Sequence, residues 1–206
     1  MIATAPAGTA RLRRKAQLLV WATIAWNAVE AVVALTAGTA ASSGALVSFG
    51  LDAIVEVSAA VVALWYLRGV DDERGARAGR LIAVGFWSLA AWVSFDAVTD
   101  LVARDRPDVS VVGIVMTSLS VVVMPNLARL KRRNAQALGS RTLLSESNET
   151  MVCAYLSAAV LVGLLLNATL DWWWADPVAA LVVAVVAARE GLEAWKGELL
   201  DEGGCC

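Results

Sequence analysis

The chain has 206 residues, of which 59% are hydrophobic and 17% are charged, and its mean hydropathy is +0.65. Soluble domains carry roughly 45–50% apolar residues. The composition therefore excludes an ordinary soluble domain and favours a protein that folds in lipid.

Six long apolar runs follow one another along the chain, and each approaches the ~20 residues that a helix needs to cross about 30 Å of hydrocarbon. The predicted spans are Gln17–Gly38, Ala45–Leu67, Leu81–Val102, Val109–Leu127, Leu143–Leu170 and Trp174–Ala194. Turn residues and charges fill the segments between them, the longest being a polar connection over Lys131–Asn148. The expected fold is an all-α membrane protein with six transmembrane helices. Its predicted parts are a cytoplasmic N-terminal segment (1–16), the transmembrane domain (17–195) and a short cytoplasmic tail (196–206).

Basic residues are concentrated beside alternate ends of these spans. Of 17 Lys and Arg residues, only Arg104 and Arg106 fall on the opposite side. Because basic residues next to spans are retained in the cytoplasm, both termini are predicted there, with the chain multi-pass in the plasma (cytoplasmic) membrane. The apolar run after the basic N-terminus is too long for a signal peptide and is interrupted by polar residues, so it is read as the first span.

Several acidic residues interrupt the apolar runs. A carboxylate at the bilayer centre costs at least about 2.5–3.5 kcal/mol and usually marks an ion path. Asp52 and Glu56 are four residues apart in span two, and Glu149 and Cys153 have the same spacing in span five, so each pair shares a helix face. At 1.5 Å per residue, Glu56 and Cys153 both lie roughly 15 Å from the cytoplasmic ends of their helices. Three carboxylates and a thiolate at one depth would suit tetrahedral zinc, while sulfur disfavours magnesium and calcium.

These residues also have structural interpretations. Glu149 fits the first turn of a helix that begins after Asn148, where the helix dipole favours a carboxylate. Cys153 fits a small buried apolar position. Three further polar residues are candidates for the ion path or, alternatively, for hydrogen bonds between helices: Asn27, Glu30 and Asp96. The terminal Cys205 and Cys206 are read as reduced thiols, with lipidation or soft-metal binding as the alternative.

Two motifs resemble the transmembrane domain of the cation diffusion facilitator, or cation efflux, family. They are the second-span run from Ser48 to Glu56 and the Ala175-Asp176-Pro177 opening of span six. The resemblance implies six spans with both ends inside, and it places Asp52 and Glu56 on the family's span-two ligand positions. Glu149 falls where the family has His, and Cys153 where it has Asp. Only a short tail follows span six in place of the family's cytoplasmic domain, so the contacts of a homodimer are expected from the membrane helices.

The leading hypothesis is a secondary transporter that exports a divalent transition metal, with Zn²⁺ preferred, in exchange for protons. Asp52, Glu56, Glu149 and Cys153 are its predicted metal ligands. Its expected partners are the metal, protons and the lipid bilayer, without a resident cofactor or nucleic acid. The alternative is a non-transporting scaffold or accessory subunit. An enzyme is disfavoured because the chain has no His and no evident nucleophile constellation.

Overall fold

The computed structural model describes residues 7–66, 72–139 and 141–196. These residues form six helices and no strand: α1 (Ala7–Ala41), α2 (Gly44–Tyr66), α3 (Asp72–Ala103), α4 (Val111–Leu138), α5 (Arg141–Leu170) and α6 (Ala175–Trp195). The predicted six-helix, all-α architecture is confirmed. For α2, α5 and α6 the observed bounds lie within two residues of the predicted ones.

The other three helices are longer than their apolar runs. α1 already begins at Ala7, so part of the predicted N-terminal segment is helical. Most of the predicted polar connection Lys131–Asn148 is helical as well, because its Arg, Lys, Gln, Ala and Leu residues are strong helix formers. The break falls at Gly139, whose left-handed backbone (φ 65°) caps α4 and bonds to the carbonyls of Ala135 and Gln136. Residue 140 and the tail cysteines Cys205 and Cys206 lie outside the described residues.

Four of the described helices, α1, α3, α4 and α5, contain stretches long and apolar enough to cross a membrane. Their outward faces carry large apolar side chains, among them Trp21, Val32, Phe95 and Val102. Such surfaces suit contact with lipid tails rather than water. α2 and α6 are about 35 Å and 32 Å long at 1.5 Å per residue. α2 packs against α1, α3, α5 and α6, so its carboxylates lie inside the bundle.

Three connections, at residues 42–43, 104–110 and 171–174, meet at one end of the bundle, the hairpin end. The Asp108 N–H donates to the Ala41 carbonyl (2.8 Å), and the Asn167 side chain donates to the Pro107 carbonyl (2.9 Å). α1 begins and α6 ends at the opposite end, the terminal end. That the terminal end faces the cytoplasm stays a prediction.

Small residues bring the helices close together around α2. A methyl group on Gly50 would lie 2.9 Å from Leu35 Cγ of α1, and one on Gly38 would lie 2.8 Å from the Val47 nitrogen of α2. Glycine at these positions permits close backbone approach, which is how helices pack where lipid is the solvent. This close packing holds α2 against α1, the helix that carries Asn27 and Glu30.

Candidate functional site

The acidic pair of α2 lies in the interior of the bundle. Asp52 is 3% exposed, and Glu56, one turn nearer the terminal end, is half-buried. The four-residue spacing places both carboxylates along one side of α2. Asp52 has electrostatic neighbours on two other helices, Glu30 of α1 and Glu190 of α6.

Glu56 connects three helices through its side chain. The Asn27 amide of α1 donates to Glu56 Oε2 at 2.7 Å. The Cys153 thiol of α5 is also a neighbour of this carboxylate and interacts with it. Glu149, one turn from Cys153 and half-buried, interacts electrostatically with Glu56. The structure therefore brings Glu56 of α2 and Cys153 of α5 close to each other in the bundle.

Glu30 is completely buried between α1 and α4. The Ser120 hydroxyl donates to Glu30 Oε1, and Ser120 in turn accepts from the Trp26 indole at 3.2 Å. Two buried oxygens in this region, Glu30 Oε2 and Asn27 Oδ1, have no hydrogen-bond partner. Glu30 also interacts electrostatically with Glu56 and Asp52. α1 and α4 thus contribute polar groups to the same interior as α2 and α5.

These groups are neighbours without forming a closed metal site. In the part of the chain that the structure describes, no three His, Cys, Asp or Glu residues are grouped so that they could hold a metal ion. The metal roles of Asp52, Glu56, Glu149 and Cys153 stay predictions.

Asp96 lies apart from this interior, at the hairpin end. A methyl group built on Gly44, the first residue of α2, would lie 3.1 Å from Asp100 Oδ2, 3.3 Å from Asp96 Oδ2 and 3.9 Å from Asp176 Oδ2. Three carboxylates therefore surround the N-terminus of α2. The partial positive charge of a helix N-terminus accounts for their location there.

Asp176, which the sequence marked only as part of the opening of span six, has a structural role. It is 1% exposed and accepts from the Ser43 hydroxyl (2.6 Å) and the Ala45 N–H (3.1 Å), so it caps α2 from the first turn of α6. Ser43 adds a second cap by accepting from the Leu46 N–H at 3.2 Å. The sequence signal was available in the Ser-Ser-Gly start of α2, since Ser is a preferred helix N-cap.

Glu190 is a second residue that was missed. It is half-buried on α6 and lies close enough to Asp52 to interact with it electrostatically. The buried small residues of α6 recur at helical spacing through Val183, Ala187 and Ala194, and Glu190 continues that stripe. From the sequence, this end of α6 was recognised only for its basic residues, Arg189 and Lys196, and Glu190 was given no role.

An apolar, lipid-facing shell around buried and half-buried carboxylates from α1, α2 and α5 is typical of multi-pass membrane carriers, in which intramembrane acids mark ion pathways. The model of the cation efflux transmembrane domain matches residues 79–200, which is more than half of the chain. The chain belongs to the cation efflux family, a family of cation transporters. The matched range includes Glu149 and Cys153, whereas Asp52 and Glu56 precede it.

Two relatives extend the similarity toward the N-terminus. Transmembrane protein 163 of Xenopus laevis is 22% identical over 186 residues, 88% of this chain and 66% of the relative. An uncharacterized transporter of Synechocystis sp. is 27% identical over 188 residues, 85% of this chain and 59% of the relative. The chain therefore spans about three-fifths to two-thirds of the length of these curated relatives.

Proposed function

We propose that this protein exports a divalent transition-metal cation, with Zn²⁺ as the preferred substrate, from the cytoplasm in exchange for protons. The observation that carries the proposal is the position of Glu56, which contacts Asn27 of α1 and Cys153 of α5 within a bundle of the cation efflux family. A carboxylate shared by three helices is placed to transmit ion binding to helix movement.

The donor chemistry supports a transition metal over a harder ion. Cys153 adds sulfur to the carboxylate oxygens of Asp52, Glu56 and Glu149, and soft ligands select zinc and its neighbours over magnesium and calcium. A thiol must lose its proton to bind metal, and so must any carboxylic acid that takes part. Metal loading at this site therefore releases protons, which is the requirement for exchange.

The energetics also favour proton exchange. Moving two positive charges outward against a 100 mV, negative-inside potential costs about 4.6 kcal/mol, at about 2.3 kcal/mol per charge. Two protons moving inward for each divalent ion make the exchange electrically neutral and remove this cost. The half-buried state of Glu56 and Glu149, beside the more deeply buried Asp52, supports loading from the terminal end.

Flux through the purified protein tests the proposal. Proteoliposomes with an enclosed fluorescent indicator would be given Zn²⁺, Mn²⁺, Fe²⁺, Co²⁺ or Cd²⁺ in turn, at two external pH values, while a second dye reports internal pH. We expect metal flux with opposite proton movement, and Asp52→Ala should lower the flux at least about tenfold. Ser58→Ala is the matched control, because this exposed hydroxyl on the same helix bonds only to the Ile54 carbonyl. Unchanged flux in folded Asp52→Ala protein would exclude transport through this site.

A scaffold without transport is the second candidate. It is favoured by one set of observations: the bonds from Asn27 to Glu56 and from Ser120 to Glu30 join helices, and the described acids form no closed metal group. On this hypothesis wild-type vesicles would show no metal flux above empty vesicles, and Asp52→Ala would change only the free energy of unfolding.

A further inference from the structure

Four oxygen-bearing side chains from three helices lie near one another in the interior of the bundle. They are Asn27 and Glu30 of α1, Ser120 of α4 and Glu56 of α2, here called the α1–α4 oxygen site. Asn27 and Glu30 are three residues apart and therefore share one face of α1. The Asn27–Glu56 bond and the Ser120–Glu30 bond place that face against both α2 and α4.

Two of these oxygens are buried without a partner. Glu30 is 0% exposed and Asn27 is 3% exposed, and neither Glu30 Oε2 nor Asn27 Oδ1 accepts a hydrogen bond. An unsatisfied buried polar group destabilises the fold, and more so when it is charged, so two in one region call for a ligand. The hydrogen bonds already present fix the orientation of both side chains. The Asn27 nitrogen donates to Glu56, and the Ser120 hydroxyl donates to the other oxygen of Glu30. Both free atoms are acceptors, which is what a cation requires.

The charges around the site have the same sign. Among the described residues, the electrostatic neighbours of Glu56 are Asp52, Glu30 and Glu149, all acidic. Carboxylate, amide and hydroxyl oxygens are hard ligands, typical for Mn²⁺, Mg²⁺ and Ca²⁺ rather than for soft ions. Resting on the proposed transport function, we propose that the α1–α4 oxygen site binds a hard divalent cation of the Mn²⁺ type, with Glu56 shared between it and the Cys153 side. Glu56 would then pass an ion between an oxygen-only position and one that contains sulfur.

Mn²⁺ binding to the purified protein in nanodiscs tests the site without relying on transport. The signal of free aqueous Mn²⁺ in electron paramagnetic resonance gives both the dissociation constant and the number of ions bound per chain. We expect Glu30→Gln to weaken Mn²⁺ binding at least about tenfold, and Cd²⁺ binding by a smaller factor because Cys153 remains. Glu193→Gln is the matched control, since that carboxylate pairs with Arg189 near the end of α6. Equal Mn²⁺ affinity in Glu30→Gln and wild-type protein would overturn the proposal.

Two substitutions at Asn27 separate a ligand from a structural hydrogen bond, and they decide the matter if Glu30→Gln fails to fold. Asn27→Ala removes both the oxygen and the donor to Glu56, whereas Asn27→Asp keeps an oxygen, removes the donor and adds a negative charge. A ligand role predicts weak Mn²⁺ binding in Asn27→Ala and retained or tighter binding in Asn27→Asp. Equal weakening in both variants would show that the donor matters and would overturn the site.

The outcomes also separate this inference from the transport proposal. If Asp52→Ala abolishes metal flux while Glu30→Gln binds Mn²⁺ normally, the oxygen site is wrong and transport stands. If Glu30→Gln weakens Mn²⁺ binding while wild-type vesicles carry no metal, the oxygen site is supported and the transport proposal fails.

Discussion

Replacing Asp176 tests how α6 holds the N-terminus of α2, and so how the acidic pair is positioned. Asp176→Ala leaves the Ser43 hydroxyl and the Ala45 N–H without their acceptor in a buried location. Each unsatisfied donor costs about 1–3 kcal/mol, and membrane hydrogen bonds fall toward the lower part of that range, so we expect a loss of about 2–4 kcal/mol in the free energy of unfolding. Circular dichroism during titration of mixed micelles with SDS measures it.

A double-mutant cycle with Ser43→Ala identifies the bond responsible. Ser43→Ala alone should cost about 1–2 kcal/mol, because it also removes the cap on the Leu46 N–H. The double variant should lose about 1 kcal/mol less than the sum of the single losses, since the two residues share one bond. Thr36→Val, an exposed hydroxyl bonded only to carbonyls of its own helix, should be neutral. A loss below about 0.5 kcal/mol in Asp176→Ala, or strict additivity, would refute the cap.

Two further predictions concern packing and orientation. A methyl group on Gly191 would lie 2.5 Å from the Trp87 ring, so Gly191→Ala should lower the free energy of unfolding by about 1–3 kcal/mol and change tryptophan emission. A methyl group on Gly85 would lie at an ordinary 3.6 Å from Val55, so Gly85→Ala should be neutral in the same assay. In intact cells, a cysteine that replaces Arg106 at the hairpin end should react with an impermeant maleimide. A cysteine that replaces Arg132 near the terminal end should react only after lysis. The reverse pattern would show that the predicted topology is inverted.

Hydrophobic runs were sufficient to predict the six helices. A segment that crosses lipid must form all its backbone hydrogen bonds within a helix, so each spanning helix corresponds to one long apolar stretch of sequence. They were a poor guide to helix ends outside the apolar region. Arg129 and Arg132 interrupt the hydropathy of α4 without interrupting the helix, since arginine is a good helix former. Gly139, the residue that does end it, carries no hydropathy signal and acts through its left-handed backbone.

The candidate site was predictable where it depends on spacing within a helix and on counting residues from helix ends. Such counting predicts one depth for Glu56 and Cys153, and the two side chains are neighbours in the structure. It did not reveal which helices pack side by side. The contacts of Glu30 with Ser120, 90 residues away, and of Ser43 with Asp176, 133 residues away, depend on tertiary packing that no local pattern encodes.

Metal flux through Glu56→Gln protein tests whether this carboxylate carries the ion, with Glu193→Gln as a matched carboxylate loss outside the site. The amide keeps the size of the side chain and its ability to accept from Asn27, but it removes the charge that a divalent ion requires. We expect the Glu56→Gln protein to fold, to carry Zn²⁺ at least about tenfold more slowly and to lose the accompanying proton movement, with Glu193→Gln unchanged. Wild-type Zn²⁺ flux in folded Glu56→Gln protein would contradict the claim that this carboxylate carries the ion.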